Sequence, residues 1–149
     1  MKLIAHRGNL SGPDREKENT TDTIRKALEE GFDVELDVRL VDGNWFLGHD
    51  SPDYLFNPDL LKDQRIWTHC KNYNALSALV TEPAVNCFWH QEDDFTLTSM
   101  GYIWAYPGKL CRGSNSMSIC VMPEWDDMKI PENIYGICSD FVRNLSLDS

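Results

Sequence analysis

The chain has 149 residues, of which 24 are acidic and 14 are basic, so its formal net charge is -10. This acidity argues against nonspecific nucleic-acid binding and against attraction to an anionic membrane surface. Because no amino-terminal run resembles a signal peptide and no apolar stretch is long enough to cross a bilayer, we expect a cytoplasmic protein without membrane insertion. No linker or repeat divides the chain, so a single domain over residues 1–149 is expected.

The first predicted strand covers residues 2–6 and ends in a polar cluster. Its apolar run stops abruptly at His6, which is followed by Arg7 and Gly8. A buried strand that delivers polar groups at its carboxyl end has this pattern. The clearest helix is then predicted over residues 19–30, because an apolar stripe at helical spacing ends there, just before a glycine.

The second predicted strand carries two carboxylates on one face. Residues 34–38 alternate between aliphatic and acidic side chains, so strand geometry places Glu35 and Asp37 side by side. Two carboxylates at this spacing repel each other unless a cation lies between them, and a hard divalent ion is the usual partner. An exposed strand with a solvated acidic face would give the same pattern, so the pair alone allows both interpretations.

A tight turn at Asp42 and Gly43 lies between two apolar runs and predicts a hairpin. The returning strand leads into a second histidine, His49, which is followed by Asp50. Two histidines flanked by arginine or aspartate suit a proton donor and a proton acceptor on opposite sides of a phosphorus centre. Together with the paired acids, they indicate a metal-assisted phosphodiesterase site.

The rest of the chain has several strand-like runs but few helical ones. Helical periodicity is clear over residues 73–80, and a single turn of helix is predicted over residues 58–63. Residues 106–118 are predicted to form a loop that is barely long enough for a parallel crossover. Strands are predicted over residues 65–69, 86–90, 102–106, 118–122 and 135–138, with an eighth candidate over residues 95–98.

Two residues in the middle of the chain are candidates for substrate binding. His90 would close the strand predicted over residues 86–90 and point toward the site, or it is a solvent-facing loop residue beside an acidic run. Trp104 shares a strand face with Tyr106, where its ring would stack on a sugar or glycerol moiety or pack in the core. The sequence allows both interpretations for each of these two residues.

The cysteines are predicted to be reduced. Their number is odd, they lack CxxC spacing, and several lie inside predicted strands as small apolar side chains. We therefore expect core thiols and neither disulfides nor a zinc site. The five are Cys70, Cys87, Cys111, Cys120 and Cys138.

Several separated motifs, in order and spacing, closely resemble the amino-terminal half of glycerophosphodiester phosphodiesterases. The match covers about the first third of the chain and is weaker over residues 66–71 and 136–140. The motifs are Ile4-Ala5-His6-Arg7-Gly8, Glu18-Asn19-Thr20, the run from Gly31 to Val38, Asp42-Gly43 and Gly48-His49-Asp50.

The resemblance implies an α/β fold of the TIM-barrel type, like that of phosphatidylinositol-specific phospholipase C, with the site at the carboxyl ends of the strands. Such barrels typically have about 250 residues, and this chain has 149. We therefore expect a shortened barrel of seven or eight strands, with several crossover helices reduced or missing. Strands without a helical cover would expose apolar surface, so a homodimer or higher homo-oligomer is expected, formed through the later strands.

The resemblance also assigns roles to individual residues. Two histidines would act as general acid and base, and a divalent cation (Mg²⁺, Ca²⁺ or Mn²⁺) would polarise a phosphoryl oxygen. The acid/base pair would be His6 and His49, the metal ligands Glu35 and Asp37, and the phosphate-binding cations Arg7 and Lys71. Apart from the resemblance, an acidic chain needs local positive charge to bind a phosphate, and Lys109 and Arg112 are further sources of it.

One departure from the family concerns the third metal ligand. His69 stands where the family has an acidic residue. Imidazole in place of a carboxylate shifts the preference toward Mn²⁺ or Zn²⁺, so Zn²⁺ joins the candidate metals. A histidine that only hydrogen-bonds inside the barrel is the alternative.

Two function classes follow from the sequence. The first is metal-dependent hydrolysis of a glycerophosphodiester or a related sugar or lipid phosphodiester, which the two retained histidines favour. The second is a catalytically inactive or altered protein that binds phosphate or glycan in the same pocket, which His69 and the short chain favour.

Overall fold

A computed structural model describes residues 1–110, 115–127 and 129–148 and shows a mixed α/β protein. Cys111 and Arg112 lie outside the described residues. The strands are β1 (Lys2–His6), β2 (Asp33–Val41), β3 (Asn44–Leu47), β4 (Tyr54–Leu55), β5 (Ile66–Cys70), β6 (Asn86–Phe88), β7 (Phe95–Leu97), β8 (Ile103–Ala105), β9 (Ser118–Val121) and β10 (Gly136–Ser139). The α-helices are α1 (Thr21–Glu29), α2 (Tyr73–Leu79) and α3 (Val142–Leu147), and 3-10 turns lie at Pro58–Lys62 and Pro123–Trp125.

All ten strands belong to one sheet. Its parallel part has the order β6-β5-β2-β1-β10-β9-β8. The long strand β2 pairs with β1 through its first half and with antiparallel β3 through its second half, and β4 follows β3 at that edge. At the other edge β7 runs antiparallel to β8. The predicted α/β class is therefore confirmed.

The sheet is strongly curled. Trp67 of β5 and Trp104 of β8 have ring centroids 5.9 Å apart, although four strands lie between β5 and β8 in the sheet. Flat strands spaced at about 4.8 Å would hold them roughly 24 Å apart. Beyond the strands, the Ser99 N–H donates to the Cys87 carbonyl oxygen at 2.7 Å, so the segment before β8 reaches β6. The curl gives a half-barrel with an inner and an outer face.

The elements with strong local signals form as predicted. The helix predicted over residues 19–30 is present as α1, where the Thr20 side chain accepts an N-cap hydrogen bond from the Thr23 N–H. The hairpin between β2 and β3 turns at Asp42 and Gly43, whose φ angles of 50° and 78° are those of a type I′ turn. The candidate strand over residues 95–98 is present as β7, but it is antiparallel.

Three parts of the fold differ from the sequence prediction. Strand β6 ends at Phe88, two residues before the predicted end, so His90 follows the strand instead of closing it. The short strand β4 and the helix α3 were not predicted. Phe141 at the start of α3 makes no side-chain cap hydrogen bond, and Val142 is fully buried. Helix α3 therefore forms because of tertiary packing, which local signals do not report.

The two faces of the sheet have different cores. The outer face buries Val34, Leu36 and Val38 of β2 in the cluster that includes residues of α1 and α2. The inner face buries Trp67 and Phe88 with other apolar side chains of the parallel strands. Because successive side chains of a strand point to opposite faces, the residues between the outer aliphatic ones point inward. This alternation places the acids of β2 inside the half-barrel.

The sequence analysis also made predictions about the cysteines and about membrane-spanning segments. The four cysteines within the described residues are free and buried, as predicted. No helix in the described part of the chain is long and apolar enough to cross a membrane.

Candidate functional site

The carboxyl ends of the parallel strands carry most of the predicted site residues. His6 is the last residue of β1, Glu35 and Asp37 belong to β2, and His69 is near the end of β5. Because parallel strands end at one edge of the sheet, their polar side chains meet there, above the apolar inner core. The structure therefore brings these four residues together.

Three of them form a cluster of candidate metal ligands. Glu35, Asp37 and His69 each offer one ligand atom, and these atoms all lie within 4.8 Å of one another. Asp37 and His69 are direct partners in the ladder between β2 and β5, while Glu35 lies two residues earlier on β2, pointing to the same face. Two carboxylates and an imidazole are a ligand set that Mn²⁺ or Zn²⁺ accepts.

One carboxylate oxygen of Asp37 has polar partners, and the other has no hydrogen bond. Its Oδ2 accepts a hydrogen bond from Asn19 Nδ2 at 2.9 Å and lies 3.3 Å from Arg7 Nε. Its Oδ1 is buried and has no hydrogen-bond partner within the described residues. A buried carboxylate oxygen without a donor is costly, and a cation bound beside it would remove that cost.

The hydrogen bonds of His69 determine which of its nitrogens faces the acids. Nε2 donates to the carbonyl oxygen of His90 at 2.9 Å, since a carbonyl oxygen only accepts. Nδ1 then lies 3.3 Å from Asp37 Oδ1 and 3.6 Å from Glu35 Oε1. With Nε2 donating, Nδ1 of the neutral ring directs its lone pair toward the two carboxylates, where a metal ion between them would accept it. An outer hydrogen bond of this kind also orients metal-bound histidines.

Glu35 is held in its ionised form. Burial by itself raises the pKa of a carboxyl group, but the hydrogen bond with His69 and the charges of His6 and Arg7 outweigh it. Together they lower the pKa of Glu35 to about 2. Oε2 accepts a hydrogen bond from the Arg7 backbone N–H at 3.2 Å, which leaves Oε1 on the side of His69.

His6 has a buried carboxylate partner. Its Nδ1 donates to Asp140 Oδ1 at 2.8 Å, and its Nε2 lies 3.9 Å from Glu35 Oε2. Burial lowers the pKa of the imidazole, but the hydrogen bond with Asp140 and the charges of Glu35 and Asp140 outweigh burial and raise the pKa of His6. His6 therefore has a fixed tautomer and a stabilised protonated form, as a proton-transfer residue requires.

His49 also has a carboxylate partner, but in an exposed setting. Its Nδ1 lies 2.7 Å from Asp50 Oδ1, and 90% of the Asp50 side chain is accessible. Arg39 of β2 holds the loop in place, because its guanidinium donates to the carbonyl oxygens of Gly48 and His49. The two candidate acid/base histidines therefore lie in unequal environments, because the side chain of His6 is 16% exposed and that of His49 is 38% exposed.

Arg7 is already engaged by carboxylates. Its guanidinium lies 3.1 Å from Glu18 through Nη1 and 3.3 Å from Asp37 through Nε. Burial lowers the pKa of Arg7, but the charges of Asp37, Glu35 and Glu18 outweigh it and raise that pKa. Arg7 thus neutralises part of the acidic cluster, and it also lines the cleft where phosphate was predicted to bind.

The site opens into a cleft with two lobes, which meet at His6, Arg7, His49 and Trp125. One lobe has a volume of about 510 Å³ and the other about 540 Å³. We call them the Arg15 lobe and the Lys71 lobe, after a residue that lines each one. The Arg15 lobe is also lined by Pro13 and Tyr54, and the Lys71 lobe by Glu35, Asp37, His69, His90, Trp104 and Tyr106.

His90 and Trp104, for each of which the sequence allowed two interpretations, both line the Lys71 lobe. His90 is buried, its Nε2 donates to the Asp93 carbonyl oxygen at 2.5 Å, and its ring packs edge-on against Tyr106. The alternative of a solvent-facing histidine is therefore wrong. Trp104 is also buried and packs on Phe88 with ring centroids 4.6 Å apart, so it contributes both to the inner core and to the wall of the lobe.

Asp140, Asn19 and Trp125 are among the residues of the site that were not predicted as site residues. Asp140 follows β10 and contacts His6, and the only signal for it was its position at the end of a predicted strand. Asn19 belongs to a quoted motif, but its double hydrogen bond with Asp37 depends on a φ angle of 56°. Trp125 belongs to the 3-10 turn after β9 and lines both lobes, and no sequence motif points to it.

Comparisons with known proteins give no assignment. No family model, no curated protein and no solved structure matches the chain. The resemblance to glycerophosphodiester phosphodiesterases rests on the motif residues alone, and the site has to be interpreted from its own chemistry.

Proposed function

We propose that this protein is a metal-dependent phosphodiesterase. The observation that carries the proposal is the convergence of the ligand atoms of Glu35, Asp37 and His69 within 4.8 Å, beside a histidine with a buried carboxylate partner. A second carboxylate-partnered histidine, His49, lines the same cleft. Metal ligands and a pair of proton-transfer groups in one cleft are what hydrolysis of a phosphodiester needs.

The histidines would move the protons of the reaction. One takes the proton of the attacking hydroxyl as the new P–O bond forms, and the other gives a proton to the alcohol oxygen as the old P–O bond breaks. In each of His6 and His49 a carboxylate accepts a hydrogen bond at Nδ1, which leaves Nε2 for the substrate. Arg7 and Lys71 line the cleft and would offset the charge of the phosphate.

The ligand set fits a divalent cation. The unpaired Oδ1 of Asp37, the Oε1 of Glu35 and the Nδ1 of His69 would hold it, and Mn²⁺ and Zn²⁺ suit this mixture of oxygen and nitrogen better than Mg²⁺ or Ca²⁺. When bound, such an ion supplies Lewis-acid stabilisation of charge on a phosphoryl oxygen. The hydrogen bond from His69 to the His90 carbonyl oxygen would keep the imidazole in position.

The cleft suggests the size of the substrate. A phosphate placed beside His6, Arg7 and His49 would lie where the lobes meet, with one alcohol group in each lobe. Both lobes have the volume of sites for small molecules, which is about 300–1,000 Å³. A glycerophosphodiester, or a related sugar or lipid phosphodiester, has two alcohol groups of this kind. We further propose that the curled sheet is a shortened barrel of the TIM type.

A noncatalytic protein that binds phosphate or glycan is the second candidate. The observation that favours it is the pairing of Arg7 with Glu18 and Asp37, which competes with a phosphate for the guanidinium. In this case the ion and the phosphate would bind, but no P–O bond would break.

The test is a phosphodiesterase assay with a chromogenic diester and with glycerophosphodiesters, across Mg²⁺, Ca²⁺, Mn²⁺ and Zn²⁺. We expect activity that depends on metal, with Mn²⁺ or Zn²⁺ preferred, and a loss of about 10²–10⁴-fold in His6→Ala. Glu35→Gln keeps the shape of the side chain but removes a ligand charge, so it should weaken metal binding measured by calorimetry.

The matched control is Asp59→Asn, a neutralisation of an exposed carboxylate that pairs with Lys62 outside the cleft. It should leave activity and metal affinity unchanged. Activity that survives both His6→Ala and Glu35→Gln would refute the assigned roles. Metal and phosphate binding without hydrolysis of any diester would favour the noncatalytic candidate.

A further inference from the structure

The half-barrel has a second cavity at the amino-terminal ends of its parallel strands, opposite the site described above. Its volume is about 380 Å³, within the range of about 300–1,000 Å³ for small-molecule sites. Lys2 begins β1, Asp33 begins β2 and Asn86 begins β6, and all three line it. Tyr102 and Tyr135, which precede β8 and β10, line it as well.

The inner face of the sheet places this cavity and the cleft at opposite ends of one layer of side chains. On β2, Asp33 is two residues before Glu35, and on β5, Trp67 is two residues before His69. Because the side chains of a strand alternate with a period of two, both residues of each pair face inward. Asp33 and Trp67 lie toward the second cavity, and Glu35 and His69 lie toward the cleft. Trp67 packs on Trp104, and Trp104 packs on Phe88, so an aromatic layer separates the two cavities.

The second cavity contains a buried polar atom without a partner. Asn86 is only 8% exposed, and its Oδ1 has no hydrogen-bond partner within the described residues. A buried polar group of this kind costs free energy unless a ligand or water satisfies it. Asn86 lies on the inner face with Phe88, so its side chain is directed into the cavity that it lines.

The walls near Asn86 are aromatic. The rings of Tyr102 and Tyr135 have centroids 4.5 Å apart, and Trp67 meets Tyr102 edge-on at 4.9 Å. The hydroxyl groups of the two tyrosines interact, and this hydrogen bond, with burial, raises the pKa of Tyr135 to about 12. Aromatic side chains of this type offer an apolar face and a polar edge to the same ligand.

The charges at the cavity already have partners inside the protein. Lys2 lies 3.6 Å from Asp33, and Arg65 lies 2.8 Å from Asp63. Asp33 also accepts a hydrogen bond from the Trp67 indole N–H at 3.0 Å. A charged ligand would have to break one of these pairs or remain uncompensated, whereas an uncharged ligand leaves them in place.

We propose that this cavity is a second, noncatalytic binding site for a neutral polyol, of the size of one sugar ring. The C–H face of the ring would pack on Tyr102 and Tyr135, and its hydroxyl groups, which both donate and accept, would satisfy Asn86. The site does not depend on the proposed phosphodiesterase activity, because no residue of the cleft lines it.

The indole N–H signal of Trp67 in NMR spectra tests the proposal, since this group borders the cavity and is hydrogen-bonded to Asp33. The signal is assigned by its disappearance in Trp67→Phe. The intact chain is titrated with glucose, galactose, N-acetylglucosamine and myo-inositol, and separately with choline chloride and inorganic phosphate. We expect saturable shifts with at least one neutral compound and none with the two charged ones.

Two variants locate the binding. Asn86→Leu removes the amide at nearly constant volume, and Tyr135→Phe removes one hydroxyl but keeps the ring. Each should weaken binding, Asn86→Leu by about tenfold as expected for one hydrogen bond. Asn44→Leu in the exposed β2–β3 hairpin is the matched control and should leave the titration unchanged. If Asn86→Leu does not fold, Tyr135→Phe still tests the site.

Three results would overturn the proposal. The first is that none of the neutral compounds shifts the Trp67 signal at high millimolar concentration. The second is a shift of the Trp67 signal with choline or phosphate that Tyr135→Phe weakens, which would place a charged ligand in this cavity. The third is a set of shifts that Tyr135→Phe and every folded Asn86 variant leave unchanged, which would place the binding elsewhere.

Discussion

His6 and Asp140 are 134 residues apart in the sequence, and their contact is the least local one in the site. Asp140 is itself held in place, because Asn9 Nδ2 donates to its Oδ1 at 2.9 Å and its backbone N–H donates to Glu124. A carboxylate anchored in this way fixes the ring of the histidine and the nitrogen that carries the proton. The partner of His49, Asp50, has a side chain that is 90% exposed, so only His6 is strongly preorganised.

Asp140→Asn tests this contact. The carboxylate and its hydrogen bond raise the pKa of His6, so the variant should have a lower His6 pKa, measured from the pH dependence of its NMR ring signals. Phosphodiesterase activity should fall by at least about 10²-fold. Asp50→Asn is the control, and it should leave the His6 pKa unchanged. An unaltered His6 titration in Asp140→Asn would contradict the role of Asp140.

Asn19 is the second residue on which the site depends, because it makes two buried hydrogen bonds with Asp37. Asn19→Gly keeps the left-handed backbone but removes both bonds, so we expect a loss of about 1–3 kcal/mol in the free energy of unfolding. Metal affinity should fall by about 10-fold or more, as for other residues that orient a ligand. Denaturant unfolding and calorimetry measure the two effects.

The control for this prediction is Asn72→Ala. Asn72 caps α2 and also hydrogen-bonds to the Leu40 backbone, so its loss should destabilise the fold without changing metal affinity. Equal effects of both variants on metal binding would show that Asn19 acts only through stability.

Among the elements, strand β2 contributes most to the site, because it belongs to two parts of the sheet at once. Its nine residues pair with β1 and β5 at the start and with β3 at the end. The first part places Glu35 and Asp37 under the cleft, and the hairpin to β3 returns the chain toward His49. The metal ligands therefore belong to β2 and β5, whereas His49 lies in the loop after β3, which is hydrogen-bonded to the Asp37 carbonyl oxygen and the Arg39 side chain of β2.

Gly48→Ala tests this separation. Gly48 has a φ angle of 152°, and a Cβ atom there would meet the Ser51 carbonyl oxygen and lie 3.0 Å from Asp53 Oδ2. The loop that carries His49 would have to shift, at a cost of about 1–3 kcal/mol. Activity should therefore fall more than metal affinity, because the loop is hydrogen-bonded to the Asp37 backbone and not to its carboxylate.

Gly31→Ala is the matched control for Gly48→Ala. Gly31 also has a positive φ, of 92°, but a Cβ atom there meets nothing within 4 Å. Gly31→Ala should lower the free energy of unfolding by only about 1 kcal/mol, through backbone strain, and should leave activity unchanged. A loss of metal affinity as large as the loss of activity in Gly48→Ala would contradict this separation.

At the scale of the whole molecule, the edge of the sheet near β7 is the candidate for self-association. Phe95 and Leu97 are 45% and 66% exposed and point to one side of β7, which has β8 on one edge only within the described residues. Exposed apolar residues on an edge strand favour pairing with another chain. We expect a homodimer at micromolar concentration by sedimentation velocity, and a monomer for Leu97→Lys.

Leu55→Lys, on strand β4 at the opposite edge, is the control for this prediction and should leave the dimer intact. A wild-type chain that sediments as a monomer at micromolar concentration would rule out self-association.

The sequence alone indicated the class of the fold, the strand ends and most of the candidate ligands. Such signals are local: the apolar run that ends at His6, the alternation around Glu35 and Asp37, and the turn at Asp42 and Gly43 each depend on neighbouring residues. The positions of α3 and β4 were not predictable, because they form through packing against distant elements.

Only the tertiary structure decided how these residues meet. The order of the strands brings Asp140 to His6 and aligns His69 with Asp37, and the curl of the sheet encloses a second cavity at the opposite end. Sequence determines which face of a strand a side chain occupies, because that depends on a period of two residues. Distances across the sheet depend on strand order and curvature, which arise from contacts summed over the whole chain.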